Sequence, residues 1–468
     1  MKSLFTSLLL LLSASTIHAD YSDCYNDLPI GIKKVETFSV PSLTVDLSDF
    51  GAVGDGVTLS TEAFTRAIDH LSARGGGRLN VPRGLWLTGP FELRSNIELH
   101  LERNAIVFFS PDKSLYIDDS PGAYRVKACI SARDCSNIMI TGEGILDGNG
   151  AQWRPVKRGK VSDVEWGKFK QMGGVERADG SLWYPWQLKS GYPDIAETPE
   201  RQEKMRNDLF RIFNCKNVLL SGVTFQNAPK FHVHPFNCVN VIIDGITVRC
   251  PWNAQNGDAI DLSDCHQALI VNSTVDAGDD GICLKSGDFK KDAPVNGCAD
   301  ILIQDNTVYH AHGGFVIGSE DICGMGRIVV RDCTFSGTDT GLRFKSGIGR
   351  GGKTSGIYIS DIIMADIKDQ AIIFQCNYVN RPAGSSEADS QPQTEIVKVP
   401  EFTDIHISDV VCRGAAIGIS AHGIEGFNCV HDISISNSTI VYTKKGSDID
   451  PLTAGLTLTG VRLIPDHK

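Results

Sequence analysis

A short strand pattern returns nine times along this chain, and no other feature limits the fold as strongly. It starts at Asn137 (NIMITGEGI), Asn217 (NVLLSGVTF), Asn240 (NVIIDGITV), Gln267 (QALIVNSTV), Asp300 (DILIQDNTV), Arg327 (RIVVRDCTF), Gly356 (GIYISDIIM), Asp404 (DIHISDVVC) and Asp432 (DISISNSTI). The steps between starts are 80, 23, 27, 33, 27, 29, 48 and 28 residues, so six of the eight lie between 23 and 33. Each copy alternates apolar and polar residues, the period-two signature of a strand. A polar residue or Gly then breaks the run, and a second short β-branched run follows. No long amphipathic helix separates the copies, which disfavours βαβ units. Short strands at this spacing, bent between runs, predict a solenoid of stacked coils. The expected fold is all-β, a right-handed parallel β-helix. A β-sandwich or propeller is the alternative, but hairpin-turn and WD-like signatures are missing.

The ends differ from the repeat. Residues 1–19 read as a secretory signal peptide, with Lys2, an apolar run centred on Leu8 to Leu12, and Ala19 at the cleavage point. Residues 20–468 are then expected to form a single parallel β-helix domain. The apolar spacing of Phe64, Ala67, Ile68 and Leu71 predicts a short helix over 60–73, with Ser60 or Thr61 as its cap. This helix is expected to close the N-terminal end of the solenoid, whose bare edge would template aggregation. Residues 149–205 interrupt the repeat. They are rich in aromatics (Trp153, Trp166, Trp183, Tyr184, Trp186) and read as a wall beside a groove or as an edge cover.

The net charge is -11, which argues against nucleic-acid or anionic-membrane partners but allows an anionic substrate in a local basic pocket. No second long apolar stretch suggests a membrane anchor, and a monomer is expected. The 14 Cys include Cys215, Cys238 and Cys429 at one place in the repeat. That recurrence predicts stacked, buried thiols in preference to a dense disulfide framework. No CxxC or zinc-like spacing occurs.

Carboxylates concentrate at Asp258, Asp261, Asp264, Asp276, Asp279 and Asp280. Asp261, Asp264 and Asp276 read as turn caps. Asp279 lies 12 residues after its strand start at Gln267, and His312 lies 12 after Asp300. Equal offsets place the two about 4.8 Å apart on adjacent coils. Asp258 belongs to the coil before, and Arg343 and Lys345 to the coil after. Crowded acids raise one another's pKa, so one can stay protonated while another stays ionised. Glycoside hydrolysis needs that division. Arg343 and Lys345 can hold a substrate carboxylate.

At these residues the chain resembles glycoside hydrolase family 28, the polygalacturonases and related pectin hydrolases. Asn256-Gly257-Asp258 is similar to the family's Asn-Thr-Asp, and Gly278-Asp279-Asp280-Gly281-Ile282 to its Gly-Asp-Asp-Cys-Ile. Ala311-His312-Gly313 is similar to Gly-His-Gly, and Arg343-Phe344-Lys345 to Arg-Ile-Lys. The departures are Gly257, Gly281, Ala311 and Phe344, none of which removes an acid or a base. The resemblance implies cleavage of α-1,4-galacturonosyl linkages by single displacement with inversion. It implies Asp279 as the acid, Asp258 and Asp280 as activators of water, and His312 beside the acid. Arg343 and Lys345 would bind galacturonate carboxylates of a pectic polysaccharide or oligogalacturonide. No metal or organic cofactor is implied. For an inverting enzyme the acid and base are expected ~6.5–9.5 Å apart. The stretch from Ser346 through Arg350 to Gly352 is similar to the Gly-Arg-Gly-Gly of bacterial exo-acting members, so Arg350 would hold a terminal galacturonate, with the 149–205 insertion blocking one end of the cleft. Tyr378 is a candidate stacking platform for sugar. A calcium-dependent pectate lyase, a rhamnogalacturonan or xylogalacturonan hydrolase, and a non-catalytic polysaccharide-binding solenoid are the alternatives.

Overall fold

The nine repeat starts share one backbone feature. Asn137, Asn217, Asn240, Gln267, Asp300, Arg327, Gly356, Asp404 and Asp432 all have φ between 52° and 66°. A left-handed residue turns the chain out of one sheet and into the next. Asn, Asp and Gly tolerate that conformation best, which is why the repeat so often begins with them. The structure is a computed structural model that describes residues 20–117, 126–185, 206–379 and 398–466. The leader over 1–19 and Trp186 lie outside the described residues.

After each bend the strands stack in parallel register, coil on coil. One interior ladder runs Ile138, Val218, Val241, Ala268, Ile301, Ile328, Ile357, Ile405 and Ile433. A second runs Leu146, Phe225, Val248, Val275, Val308 and Phe335. A third runs Ile130, Phe210, Val233, Ile260, Ile282, Phe315, Leu342, Ile372 and Ile419. All three ladders are buried and belong to one continuous core. The expected parallel β-helix is therefore present, with three walls enclosing a filled interior.

Helix α1 (Thr61–Ser72) packs Phe64, Ala67, Ile68 and Leu71 into that core at its N-terminal end, as the spacing predicts. Phe64 stacks on Phe91 with ring centroids 4.5 Å apart. The expected side-chain cap is absent: Ser60 makes no capping bond. Thr61 Oγ1 instead accepts from the Gly89 amide at 2.6 Å, tying the helix start to the first coils. An extended N-terminal segment runs across the outside of the wall that carries the first ladder, against Leu269, Leu302 and Val329. Its carbonyls and amides bond the left-handed residues, as in Asn240 Nδ2 to Glu36 O (2.7 Å) and Gln267 Nε2 to Lys34 O (2.6 Å).

All fourteen cysteines are free. By register Cys135, Cys215, Cys238, Cys265 and Cys298 form one thiol ladder. Cys429 does not join it. Val430 is the residue in register with Phe402, so Cys429 falls one position early and packs beside Cys376. Among the described residues no helix is long and apolar enough to cross a membrane.

The described part of the insertion forms its own small unit. It contains α2 (Asp163–Gln171), started by a Ser162/Glu165 capping box, and a three-stranded antiparallel sheet. Trp153, Trp166, Trp183 and Tyr184 are buried. These aromatics are the packing of the insertion and its root in the solenoid, so they do not line a groove.

Candidate active site

The turns that precede one wall stack as regularly as its strands. Gly278 N donates to Gly257 O at 3.1 Å, His312 N to Asp279 O at 2.7 Å, and Thr340 N to His312 O at 3.2 Å. In register, Asp258 faces Asp280, because Ile260 pairs with Ile282. Arg343 lies in register with Val316, and Val316 with Cys283. The line across four coils is therefore present. Gly257 belongs in it for steric reasons. A Cβ there would come within 2.7 Å of Cys250 Sγ, so the family's Thr does not fit this turn.

Asp258, Asp279 and Asp280 each offer an oxygen within 4.8 Å of the others, the one such group among the described residues that could hold a metal ion. That is tighter than the separation expected for an inverting pair. Stacking neighbouring coils about 4.8 Å apart imposes it. Two ammonium groups already sit on the cluster. Lys345 Nζ donates to Asp280 Oδ2 at 2.7 Å, and Lys285 Nζ to Asp258 Oδ2 at 3.0 Å. A divalent cation placed there would be repelled by both.

His312 Nδ1 lies 2.9 Å from Asp279 Oδ1. Arg343 reaches to 3.6 Å from Asp280 Oδ1 and its side chain stays partly exposed. Lys345 is only 6% exposed, so its main contact is Asp280. Tyr378 joins the group from the next coil, with its ring centroid 5.8 Å from Arg343 Cζ and 5.3 Å from Lys345 Nζ. Arg350 sits on the turn after this strand, where its charge and that of Lys285 act on Glu320.

The electrostatics differ from the sequence-based division of labour. Burial pushes Asp258 well above the usual carboxylate range, and Asp261, Asp279 and Asp280 add to that against the pull of Lys285. Burial also acts to raise Asp279. There, however, His312, Lys345 and Lys160 outweigh it and hold the carboxyl well below its ordinary value. Asp280 is lowered too, because Lys345 and Arg343 exceed burial and the Asp279 charge. In the unliganded site the raised acid is therefore Asp258, where the sequence reading expected Asp279. The reason is the neighbours: Asp279 has His312 at hydrogen-bond distance with the charges of Lys345 and Lys160 beyond it, whereas Asp258 has one shared cation, Lys285.

That shared cation is one of four residues the sequence reading missed. Asp261, expected as a turn cap, is a fully buried strand residue bonded to Lys285 at 2.8 Å. Asp264 does cap a turn, accepting from the amides of Gly287 and Gly297. Lys285 was legible in principle, since alternation from the interior Ile282 and Leu284 puts it on the outer face of its strand. Arg206 props the Asn256 turn through Gln255 O (2.7 Å) and Asn256 Oδ1 (2.8 Å), and nothing local in the sequence signals it. Lys160 comes from the insertion and places Nζ 3.3 Å from His312 Nε2.

The profile of the family described as glycosyl hydrolases family 28 matches residues 168–399. An exo-poly-alpha-D-galacturonosidase from Dickeya chrysanthemi is 26% identical over 86% of this chain and 68% of its own length. An exopolygalacturonase from Thermotoga maritima superposes with a TM-score of 0.72 at 29% identity, covering 92% of this chain and 94% of that one. A polygalacturonase from Erwinia carotovora ssp. carotovora shares the fold, with a TM-score of 0.61 at 20% identity over 93% of this chain and 99% of that one. The acid cluster and the Arg-Phe-Lys strand lie inside the matched segment, and over it the chain is similar to glycosyl hydrolases family 28.

Proposed function

We propose that the protein is an exo-acting polygalacturonase that hydrolyses α-1,4-galacturonosyl linkages from a chain end by inversion. The observation that carries this is the set of three carboxylates within 4.8 Å of one another, with Arg343, Lys345 and Tyr378 on the next coils along the same wall. The carboxylates supply acid and base. The cations and the ring fit an anionic sugar.

In this reading Asp279 protonates the glycosidic oxygen, with His312 as its hydrogen-bond partner. Neither Asp258 Oδ1 nor Asp280 Oδ1 accepts a hydrogen bond from a described residue. Both are therefore free to orient one water for attack on the anomeric carbon. Asp279 starts ionised, so it must gain a proton on substrate binding. A galacturonate carboxylate placed against Arg343 and Lys345 cancels much of the positive field that lowers its pKa. Arg350 would bind the terminal sugar, and Tyr378 would stack on a ring face. The names of the Dickeya and Thermotoga relatives support end-wise action. With the leader pattern of residues 1–19, the protein is exported to where pectin lies.

Asp279→Asn is expected to lower kcat by about 10³-fold or more while leaving oligogalacturonide binding largely intact. Near-normal turnover in that variant would remove Asp279 as the acid. The anomeric configuration of the first-formed product, read by proton NMR, tests inversion. The β-anomer is expected, and the α-anomer would contradict a single displacement.

A further inference from the structure

A contact between the described part of the insertion and His312 has a chemical consequence. We propose that Lys160 is a positioning residue that fixes the His312 imidazole with its proton on Nδ1, aimed at Asp279. Lys160 Nζ lies 3.3 Å from His312 Nε2 and 3.4 Å from Gly278 O. An ammonium has donors and no lone pair, so whatever it bonds must accept. Nε2 is then the bare nitrogen, and the neutral ring carries its single hydrogen on Nδ1. Nδ1 lies 2.9 Å from Asp279 Oδ1 and donates to it. The competing partner for Nε2 is Asp339, whose Oδ2 is 3.9 Å away, beyond hydrogen-bond range. Lys368 engages Asp339 at 2.8 Å. Asp279, Lys160 and Asp339 are the charged groups that face the ring, and Lys345 adds its charge to Asp279.

Lys160 is held where it must act. It ends a short turn (Arg158–Lys160) just before the capping box that starts α2. Arg158 bonds Val161 O at 3.0 Å and pairs with Asp163. Lys157 is in register with Leu182, and Val156, Trp166 and Trp183 pack together beneath. Burial lowers the Lys160 pKa, as expected for an ammonium drawn out of water toward the site. An insertion outside the repeat thus completes the acid's hydrogen-bond partner.

The catalytic consequence rests on the hydrolase reading above, whereas the tautomer does not. The test pairs two readouts on Lys160→Met, with Lys160→Arg as the conservative control. In 15N-imidazole NMR, with the His312 signal assigned by its loss in His312→Ala, the wild type should show Nδ1 protonated and Nε2 bare. Lys160→Met should lose that preference and Lys160→Arg should keep it. In kinetics, Lys160→Met should lower kcat about 10- to 100-fold with little change in KM. Removing the Lys160 charge raises the pKa of Asp279, so the alkaline limb of the rate profile should move to higher pH. Added to His312→Ala, Lys160→Met should cost nothing further. An unchanged tautomer with an unmoved limb would overturn the proposal, as would fully additive losses in the double variant. A wild type that releases no galacturonate would instead overturn the hydrolase reading and leave the tautomer to decide on Lys160.

Discussion

Asp279 and Asp258 are both taken out of water, yet neighbouring charge drives them in opposite directions. This has a kinetic signature. The profile of kcat/KM reports the free enzyme and that of kcat reports the complex. An anionic sugar cancels part of the field of Lys345 and Lys160 at Asp279, so the acid's pKa is higher in the complex. The alkaline limb of kcat should therefore lie at higher pH than that of kcat/KM. Coincident limbs would mean that substrate charge does not reach the acid. A second buried acid tests burial alone. Asp321 is fully buried and pushed up to about 6, held only by Thr354 Oγ1 at 2.7 Å and a backbone bond from Gly324. The native state keeps this proton up to about pH 6, and the unfolded chain only up to about pH 4. Stability is thus lost as pH rises through that window and stays reduced above it. Asp321→Asn should raise stability by up to about 3 kcal/mol near pH 8 and change little near pH 3, seen as thermal midpoints at the two pH values.

At the scale of the coil, the left-handed starts are joined side chain to side chain. Asn137 donates to Asn96, Asn217 to Asn137 at 2.7 Å, and Asn240 to Asn217 at 2.9 Å. Asn217→Ala removes both bonds and forces a Cβ residue without a local hydrogen bond into φ near 60°. The expected cost is about 2–3 kcal/mol. Asn217→Gly keeps the backbone at ease and should cost about half as much, so the order of the two thermal midpoints separates ladder from backbone. This chemistry is why the repeat could be read at all. Alternation marks the strands, and Asn, Asp and Gly mark the bends between walls. The same regularity made Asp279 and His312 legible as neighbours, because equal offsets survive equal turns. It misled at Asp261, where an acid that resembles a turn residue sits inside a strand. It also carried no information on Lys160, since no repeat links an insertion to the coil it touches.

Across the whole molecule, the solenoid works as a ruler. Each coil sets its outward residues about 4.8 Å from the next, so a site assembled from Asp258, Asp279, His312 and Arg343 needs no long-range folding accident. One wall carries both the chemistry and the cations. The N-terminal end is closed by α1, and the insertion adds Lys160 from the side. The central claim is that this wall hydrolyses a polyanionic sugar chain from one end. Product analysis on polygalacturonic acid with chelator present tests it most directly, following reducing ends, ultraviolet absorbance and product sizes together. Saturated monogalacturonate as the sole early product, unaffected by chelator, is the predicted result. Unsaturated, chelator-sensitive products or the absence of reducing ends would contradict it.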